Sequence, residues 1–205
     1  MRIPKHIGII PDGNRRWAQA HGMTKKEGYA YGLTPGVSIL RKAKEANIEE
    51  ITYYGFTVDN CKRPKEQCKA FTQACVEAVE LLKQEGARLL VLGDFESKCF
   101  PEELKQYTKR TRVKSDDIRI NFLVNYGWRW DLSHIAVDGR PYSSDVSRMD
   151  MIIRWGGRIR LSGFLPIQSV YSDFYSIPHM WPDYSDRDFD EALQWYNRQD
   201  VTLGG

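Results

Sequence analysis

The stretch His6-Ile7-Gly8-Ile9-Ile10-Pro11-Asp12-Gly13-Asn14-Arg15-Arg16-Trp17 decides the fold. Residues 6–10 read as a strand, and Pro11-Asp12-Gly13-Asn14 is a loop signal that ends it. Thr34 followed by Pro35 predicts a helix start, with Thr as N-cap and Pro at the first helical position, running to about Ala46. Residues 50–56 form a second predicted strand, rich in β-branched and aromatic side chains. After Pro64 a long helix is expected, because Phe71, Ala74, Cys75, Ala78 and Leu82 fall on one face. Strands follow over 88–92, 118–124 and 149–154, with a helix near 101–110 and a last one over 188–198. Strands separated by helices pair in parallel through crossover connections. The expectation is an α/β fold, a central and mostly parallel sheet flanked by helices.

The 205 residues suit one compact domain spanning 1–205. Hydrophobic residues make up 41% and charged residues 28%, which excludes a disordered chain. A net charge of +3 argues against a protein coated in basic residues to grip nucleic acid. Positive charge is instead concentrated over 15–26 and 148–160. No apolar run is long enough to span a bilayer and no signal-peptide pattern opens the chain, so a cytoplasmic location is expected. The four cysteines contain no C-x-x-C pair and the four histidines no H-E-x-x-H spacing. Cys68 and Cys75 share a helix face and read as buried thiols.

In open α/β sheets, ligands bind where loops gather at the carboxyl ends of the strands. Three such loops carry chemistry. The first, Asp12-Gly13-Asn14-Arg15-Arg16-Trp17, sets a carboxylate able to hold a hard cation beside two arginines able to fork onto phosphate oxygens. An Asp N-cap with solvated arginines fits the same residues. The second runs from Arg154 through Gly156-Gly157 to Arg158, Arg160 and Ser162, three arginines and a serine in nine residues. It is either a phosphate cradle or a charged turn. The third, Thr57-Val58-Asp59-Asn60-Cys61-Lys62-Arg63, offers a hydroxyl, a carboxylate and an amide, or helix capping by Asp59 or Asn60. No nucleophile elbow and no dinucleotide fingerprint occurs. Two anion sites and a metal carboxylate without a nucleophile suit chemistry in which a diphosphate leaves and the protein stabilises charge.

At these residues the chain resembles the cis-prenyltransferases, the family of undecaprenyl diphosphate synthase. The resemblance rests on residues 6–18, on Tyr54-Gly55-Phe56-Thr57-Val58-Asp59-Asn60 with Arg63-Pro64, and on Leu92-Gly93-Asp94. It continues through Asn125-Tyr126-Gly127 with Arg129-Trp130-Asp131, then Ile153-Arg154-Trp155-Gly156-Gly157 with Arg160-Leu161-Ser162, and Trp181-Pro182-Asp183.

The resemblance implies a parallel-sheet homodimer that uses Mg²⁺. Asp12 would hold the ion with the diphosphate. Arg16, with the backbone at Gly13 and Asn14, would bind the allylic diphosphate, and Lys25 stands where the family has arginine for that group. Arg154, Arg160 and Ser162 would grip the second diphosphate. Asn60 would assist proton removal, beside Thr57. Asp173 takes the place of a metal-binding glutamate. Arg15, Trp17, Tyr29 and Arg63 complete the expected substrate-binding set, with Tyr29 where the family often has histidine. Packing is the alternative role for Trp17.

Further departures are Arg158-Ile159 in place of an acidic residue and a histidine, and Cys61 for tryptophan. The tail Val201-Thr202-Leu203-Gly204-Gly205 lacks the R-x-G arginine. The segment 125–154 is short, and the helix after Pro64 is about a turn shorter than in long-chain members, which implies a short product. Gly156 to Pro166, with Ser169, Tyr171, Asp173 and Tyr175, is similar to the lavandulyl-type branch, which joins two dimethylallyl diphosphates head to middle. The alternatives are a regular short-chain synthase using isopentenyl diphosphate and a non-catalytic partner subunit. Such subunits characteristically lose the aspartate that stands here at position 12.

Overall fold

Alternation along five central strands sorts the core into two layers, one on each face of the sheet. In a computed structural model, which describes residues 2–114 and 117–200, these strands are β1 (His6–Ile10), β2 (Glu50–Tyr54), β3 (Ala87–Leu92), β5 (Arg119–Leu123) and β6 (Met151–Arg154). Short edge strands β4 (Thr111–Val113) and β7 (Asp173–Ser176) complete a seven-stranded sheet of order β4-β3-β5-β2-β1-β6-β7. β4 alone runs antiparallel, against β3. The mostly parallel α/β expectation is met.

The helices are α1 (Asn14–Ala20), α2 (Leu33–Glu45), α3 (Lys65–Gln84), α4 (Trp128–Ser133), α5 (Ile135–Asp138) and α6 (Asp186–Asn197). Ile7, Ile9, Ile51, Tyr53, Val91, Phe122 and Ile153 face one side. They pack there against Ile39 and Leu40 of α2, Val79 and Leu82 of α3, and Phe189 and Leu193 of α6. The alternate residues Ile10, Tyr54, Leu92, Leu123 and Ile152 meet Met149, Phe164 and Leu165 on the other side.

Several boundaries differ from expectation. α2 begins at Leu33, not beyond a Thr34 cap, because a 3-10 turn over Glu27–Gly32 feeds straight into it. The segment near 101–110 is a 3-10 turn, Glu102–Tyr107, followed by β4. α6 starts two residues early, where Ser185 and Asp188 form a capping box. The glycines at 204 and 205 and the missing tail arginine lie outside the described residues.

At the amino ends of the strands a buried polar network crosses the second face. Glu50 takes hydrogen bonds from Asn121 Nδ2 at 2.7 Å and Ser147 Oγ at 2.6 Å, and pairs with Arg119 at 2.7 Å. His6 Nε2 lies 2.8 Å from Thr52 Oγ1. Burial lowers the His6 pKa. For Glu50, burial works against ionisation, but the charge of a protonated His6, the hydrogen bonds from Ser147 and Asn121 and the Arg119 guanidinium outweigh it and hold the carboxyl below its ordinary range. Both groups therefore bind protons more readily when unfolded. Their contribution is complete above the ordinary histidine range and is lost as pH falls, first through His6 and then through the depressed Glu50 value. Thermal unfolding should show a midpoint that drops on acidification from pH 7 to pH 4. Glu50→Ala should cost roughly 3 kcal/mol, about 6–12 °C in Tm. A Tm unchanged by that substitution would remove the network from the stability of the fold.

Candidate active site

β1 has β2 on one side and β6 on the other. The chain leaves β1 toward β2 and returns on the far side at β6, so the loops after β1 and β6 diverge. This is the switch point at which open α/β sheets bind ligands. Ile10 is paired with Arg154 in the register, which brings Asp12 and Arg154 together across the gap.

Arg154 is only 4% exposed and donates to Asp12 Oδ2 at 2.8 Å. It also donates to Ser162 Oγ at 3.0 Å and to the Arg160 carbonyl. Its Nε has no hydrogen-bond partner among the described residues. Arg16 lies 3.5 Å from Asp12 Oδ1 and donates to the Gly156 carbonyl at 3.0 Å. Gly156 has a φ of 86°, and a Cβ there would sit 2.5 Å from the Arg16 guanidinium, so glycine is what lets these two loops close on each other. Gly13, not Asp12, is the residue before α1, and no side chain caps that helix. The capping alternative for Asp12 is thereby excluded.

Together these loops wall a polar cleft of about 460 Å³. Asp12, Gly13, Asn14, Arg15, Arg16, Tyr29, Thr57, Asn60, Arg63, Arg154, Arg160 and Ser162 all line it. Thr57 and Asn60 do both kinds of work. They cap the following 3-10 turn reciprocally, with Asn60 Oδ1 accepting from the Thr57 amide at 3.3 Å, and they face the cleft. Arg63 donates to the Tyr29 hydroxyl at 3.3 Å, and Tyr29 stacks on Phe71 with centroids 4.5 Å apart. Burial raises the Tyr29 pKa, which keeps the phenol protonated.

Three expected site residues stay apart. Trp17 donates its indole N–H to Asp183 at 2.6 Å and stacks on His21 at 4.1 Å, outside the cleft lining. Lys25 is exposed and does not line the cleft. Asp173 is level with Met151 and Ile7 in the register, at the amino end of the sheet, and pairs with Arg2 at 3.5 Å. Ser176 is level with Arg154, so Asp173 lies about 10 Å below the cleft along the strand. Within one chain it cannot share a cation with Asp12. Conversely, Tyr54, Gly55 and Phe71 line the cleft without having been singled out as site residues, and Asp59 and Arg158 of the candidate loops join them there. Tyr54 donates to the Ser162 carbonyl at 2.8 Å, a role that its place in an apolar strand pattern concealed.

A second pocket, of about 70 Å³, lies beside the cleft between the sheet, α2 and α3. Pro11, Asn14, Tyr29, Gly55 and Phe71 line both spaces and stand at the boundary, or neck, between them. Beyond the neck the walls are mostly apolar, with Leu33, Gly36, Tyr53, Ala74, Cys75, Ala78, Leu82 and Phe122. Charge at one end and an apolar sleeve at the other match an amphiphile with an anionic head.

Comparison with known proteins agrees with this geometry. Residues 10–204 match a family described as putative undecaprenyl diphosphate synthase. An isoprenyl transferase of Thermotoga maritima is 33% identical, with 100% of this chain and 98% of that protein covered. A (2E,6E)-farnesyl-diphosphate-specific ditrans,polycis-undecaprenyl-diphosphate synthase of Yersinia pseudotuberculosis is 29% identical, with 100% and 91% covered. Among solved structures, lavandulyl diphosphate synthase from Lavandula x intermedia, in complex with dimethylallyl diphosphate, superposes with a TM-score of 0.83. It is 22% identical, with 99% of each chain covered. A probable undecaprenyl diphosphate synthase from Campylobacter jejuni gives 0.72 at 19% identity, with 100% of each covered. The last two likenesses speak to the fold. The family match over nearly the whole chain speaks to kinship, and the chain belongs to the undecaprenyl diphosphate synthase family of prenyltransferases, enzymes that condense isoprenoid diphosphates.

Proposed function

We propose that this protein is a Mg²⁺-dependent synthase that couples dimethylallyl diphosphate to a second five-carbon diphosphate, giving a short product. The observation that carries the proposal is the junction of an arginine-lined cleft with a short apolar pocket. Six arginines line the cleft, at 15, 16, 63, 154, 158 and 160, against the carboxylates of Asp12 and Asp59. That surplus suits two diphosphates side by side. The pocket is lined by α2 and α3 and by Tyr53 and Phe122 of the sheet, which leaves room for a short tail.

Asp12 fits a divalent cation as Mg²⁺ is commonly held, by one carboxylate together with phosphate oxygens and water. No group of three His, Cys, Asp or Glu side chains suited to a metal occurs among the described residues, so the diphosphate has to complete the shell. When bound there, the ion neutralises charge on the leaving diphosphate. Arg16 and the Gly13–Asn14 backbone hold the allylic head group at the mouth of the neck. Arg154, Arg160 and Ser162 hold the second. The allylic C–O bond breaks with its electron pair going to the diphosphate, and the double bond of the second substrate attacks the resulting cation. Tyr29 and Phe71 shield that carbon from water at the neck. A proton is then lost to the released diphosphate, the strongest base in the cleft, with Asn60 ordering its approach. Holding both reactants in register supplies much of the rate.

The short pocket and the Gly156-to-Pro166 motif support head-to-middle coupling of two dimethylallyl units. The identities of about 30% to isoprenyl transferases favour instead regular chain growth with isopentenyl diphosphate. Incubation with Mg²⁺ and dimethylallyl diphosphate, with and without isopentenyl diphosphate, separates the two. A ten-carbon product from dimethylallyl diphosphate alone, identified by mass and NMR, is expected. Strict need for isopentenyl diphosphate would sink the irregular reading, and no product in either arm would sink both. The active species is a homodimer in this proposal. Exposed Ile167, Val170 and Tyr171 next to edge strand β7 support that, and light scattering of the same sample checks it.

A further inference from the structure

We infer that Gly36 sets the depth of the apolar pocket, and that the missing side chain at this position leaves the space an isoprenoid tail occupies. The inference rests on the reading of the cleft as a prenyl diphosphate site. α2 buries Ile39, Leu40 and Ala43 completely, and these stand three, four and seven residues after Gly36. Gly36 therefore lies on the face that α2 turns toward the sheet and α3. On such a face a Cβ ordinarily touches its neighbours at van der Waals distance. Here a Cβ would meet no heavy atom within 4 Å beyond its own turn of helix. The vacancy is the pocket itself, which Gly36 lines together with Tyr53, Ala78 and Leu82.

Backbone geometry does not demand glycine at this position. Gly36 is helical and is not among the residues with positive φ. Glycine inside a helix is disfavoured relative to alanine, so the fold alone would gain from a side chain. The Tyr53 hydroxyl donates to the Gly36 carbonyl at 2.8 Å, which fixes this part of α2 against β2. Because that bond uses the backbone, any side chain at 36 would keep it. Glycine here thus lowers helix stability and enlarges a cavity, the pattern expected of a position kept open for a ligand.

Gly36→Ala and Gly36→Leu test the inference. A leucine side chain fills about the volume of one isoprene unit. Affinity is measured with Mg²⁺ for inorganic pyrophosphate, which needs the cleft alone, and for the unreactive thiolodiphosphates of the dimethylallyl and geranyl chains. The expected result for Gly36→Leu is a loss of about 10-fold or more for the longest chain that the wild type binds, with pyrophosphate affinity unchanged. Gly36→Ala should raise Tm by about 2 °C while shifting chain preference in the same direction. If both variants bind every chain as the wild type does, position 36 does not limit the pocket. Equal weakening of pyrophosphate and prenyl ligands would mean that the substitution distorts the cleft, and would overturn the inference as well. If the wild type binds neither pyrophosphate nor the prenyl ligands, the prenyl diphosphate reading fails first and takes the inference with it.

Discussion

Replacing Asp12 with asparagine should lower kcat/KM by about 10²–10³-fold while leaving the protein folded. The substitution keeps the shape of the side chain and an oxygen that Arg154 can still reach, now 2.8 Å away. What it removes is the negative charge at the carboxyl end of β1, flanked by Arg154 and Arg16. Without a cation the two arginines hold that carboxylate. With a metal-bound diphosphate, the carboxylate would turn to the ion and the arginines to phosphate oxygens. The asparagine variant should therefore still bind pyrophosphate through its arginines, but binding should no longer strengthen as Mg²⁺ is added. Steady-state rates and a Mg²⁺ titration of pyrophosphate affinity report both effects. Wild-type turnover in this variant would remove Asp12 from the mechanism.

Arg154→Ala is expected to damage stability and turnover together, and Arg154→Lys to separate them. The guanidinium is almost wholly buried and forks onto Asp12, Ser162 and the Arg160 carbonyl. Alanine leaves those partners without their donor, at a cost of about 2–4 kcal/mol. Lysine keeps a positive charge for Asp12 but, as a point charge, cannot fork in fixed directions. Its Tm should fall less than that of alanine, while KM for the second substrate rises about 10- to 100-fold, the worth of one or two charge-assisted bonds. Equal KM values for wild type and Arg154→Lys would show that the fork is structural. Rescue of Tm without rescue of KM is the expected split.

The parts of the fold legible in the sequence were those where local and long-range preferences agree. β1 ends where a Pro-Asp-Gly-Asn loop follows an apolar run, and the parallel order follows from helices between strands. Edge strands were hidden because they bury little. β4 is Thr-Arg-Val, only partly covered, and β7 is intermediate in exposure along its whole length. The three loops at the carboxyl ends were legible as sites because carboxylate, arginine and glycine cluster there. Their third dimension was not. Tyr54 and Phe71 read as core from periodicity, yet each also faces the cleft. Asp173 is the opposite case. It was picked out by its place in a motif, and the parallel register puts it at the amino end of the sheet, away from Asp12 within one chain. Trp17 and Lys25 are near Asp12 in sequence, yet Trp17 on α1 and Lys25 in the exposed turn after it both lie outside the cleft lining.

The most direct measurement is a crystal structure grown with dimethylallyl thiolodiphosphate and Mn²⁺, with anomalous density locating the metal. The expected map has one Mn²⁺ at about 2.1 Å from an Asp12 oxygen and also bound to diphosphate oxygens, with a second head group on Arg154, Arg160 and Ser162. The allylic tail should point through the neck that Tyr29 and Phe71 help to line. A diphosphate bound elsewhere, or bound in this cleft with its metal away from Asp12, would contradict it.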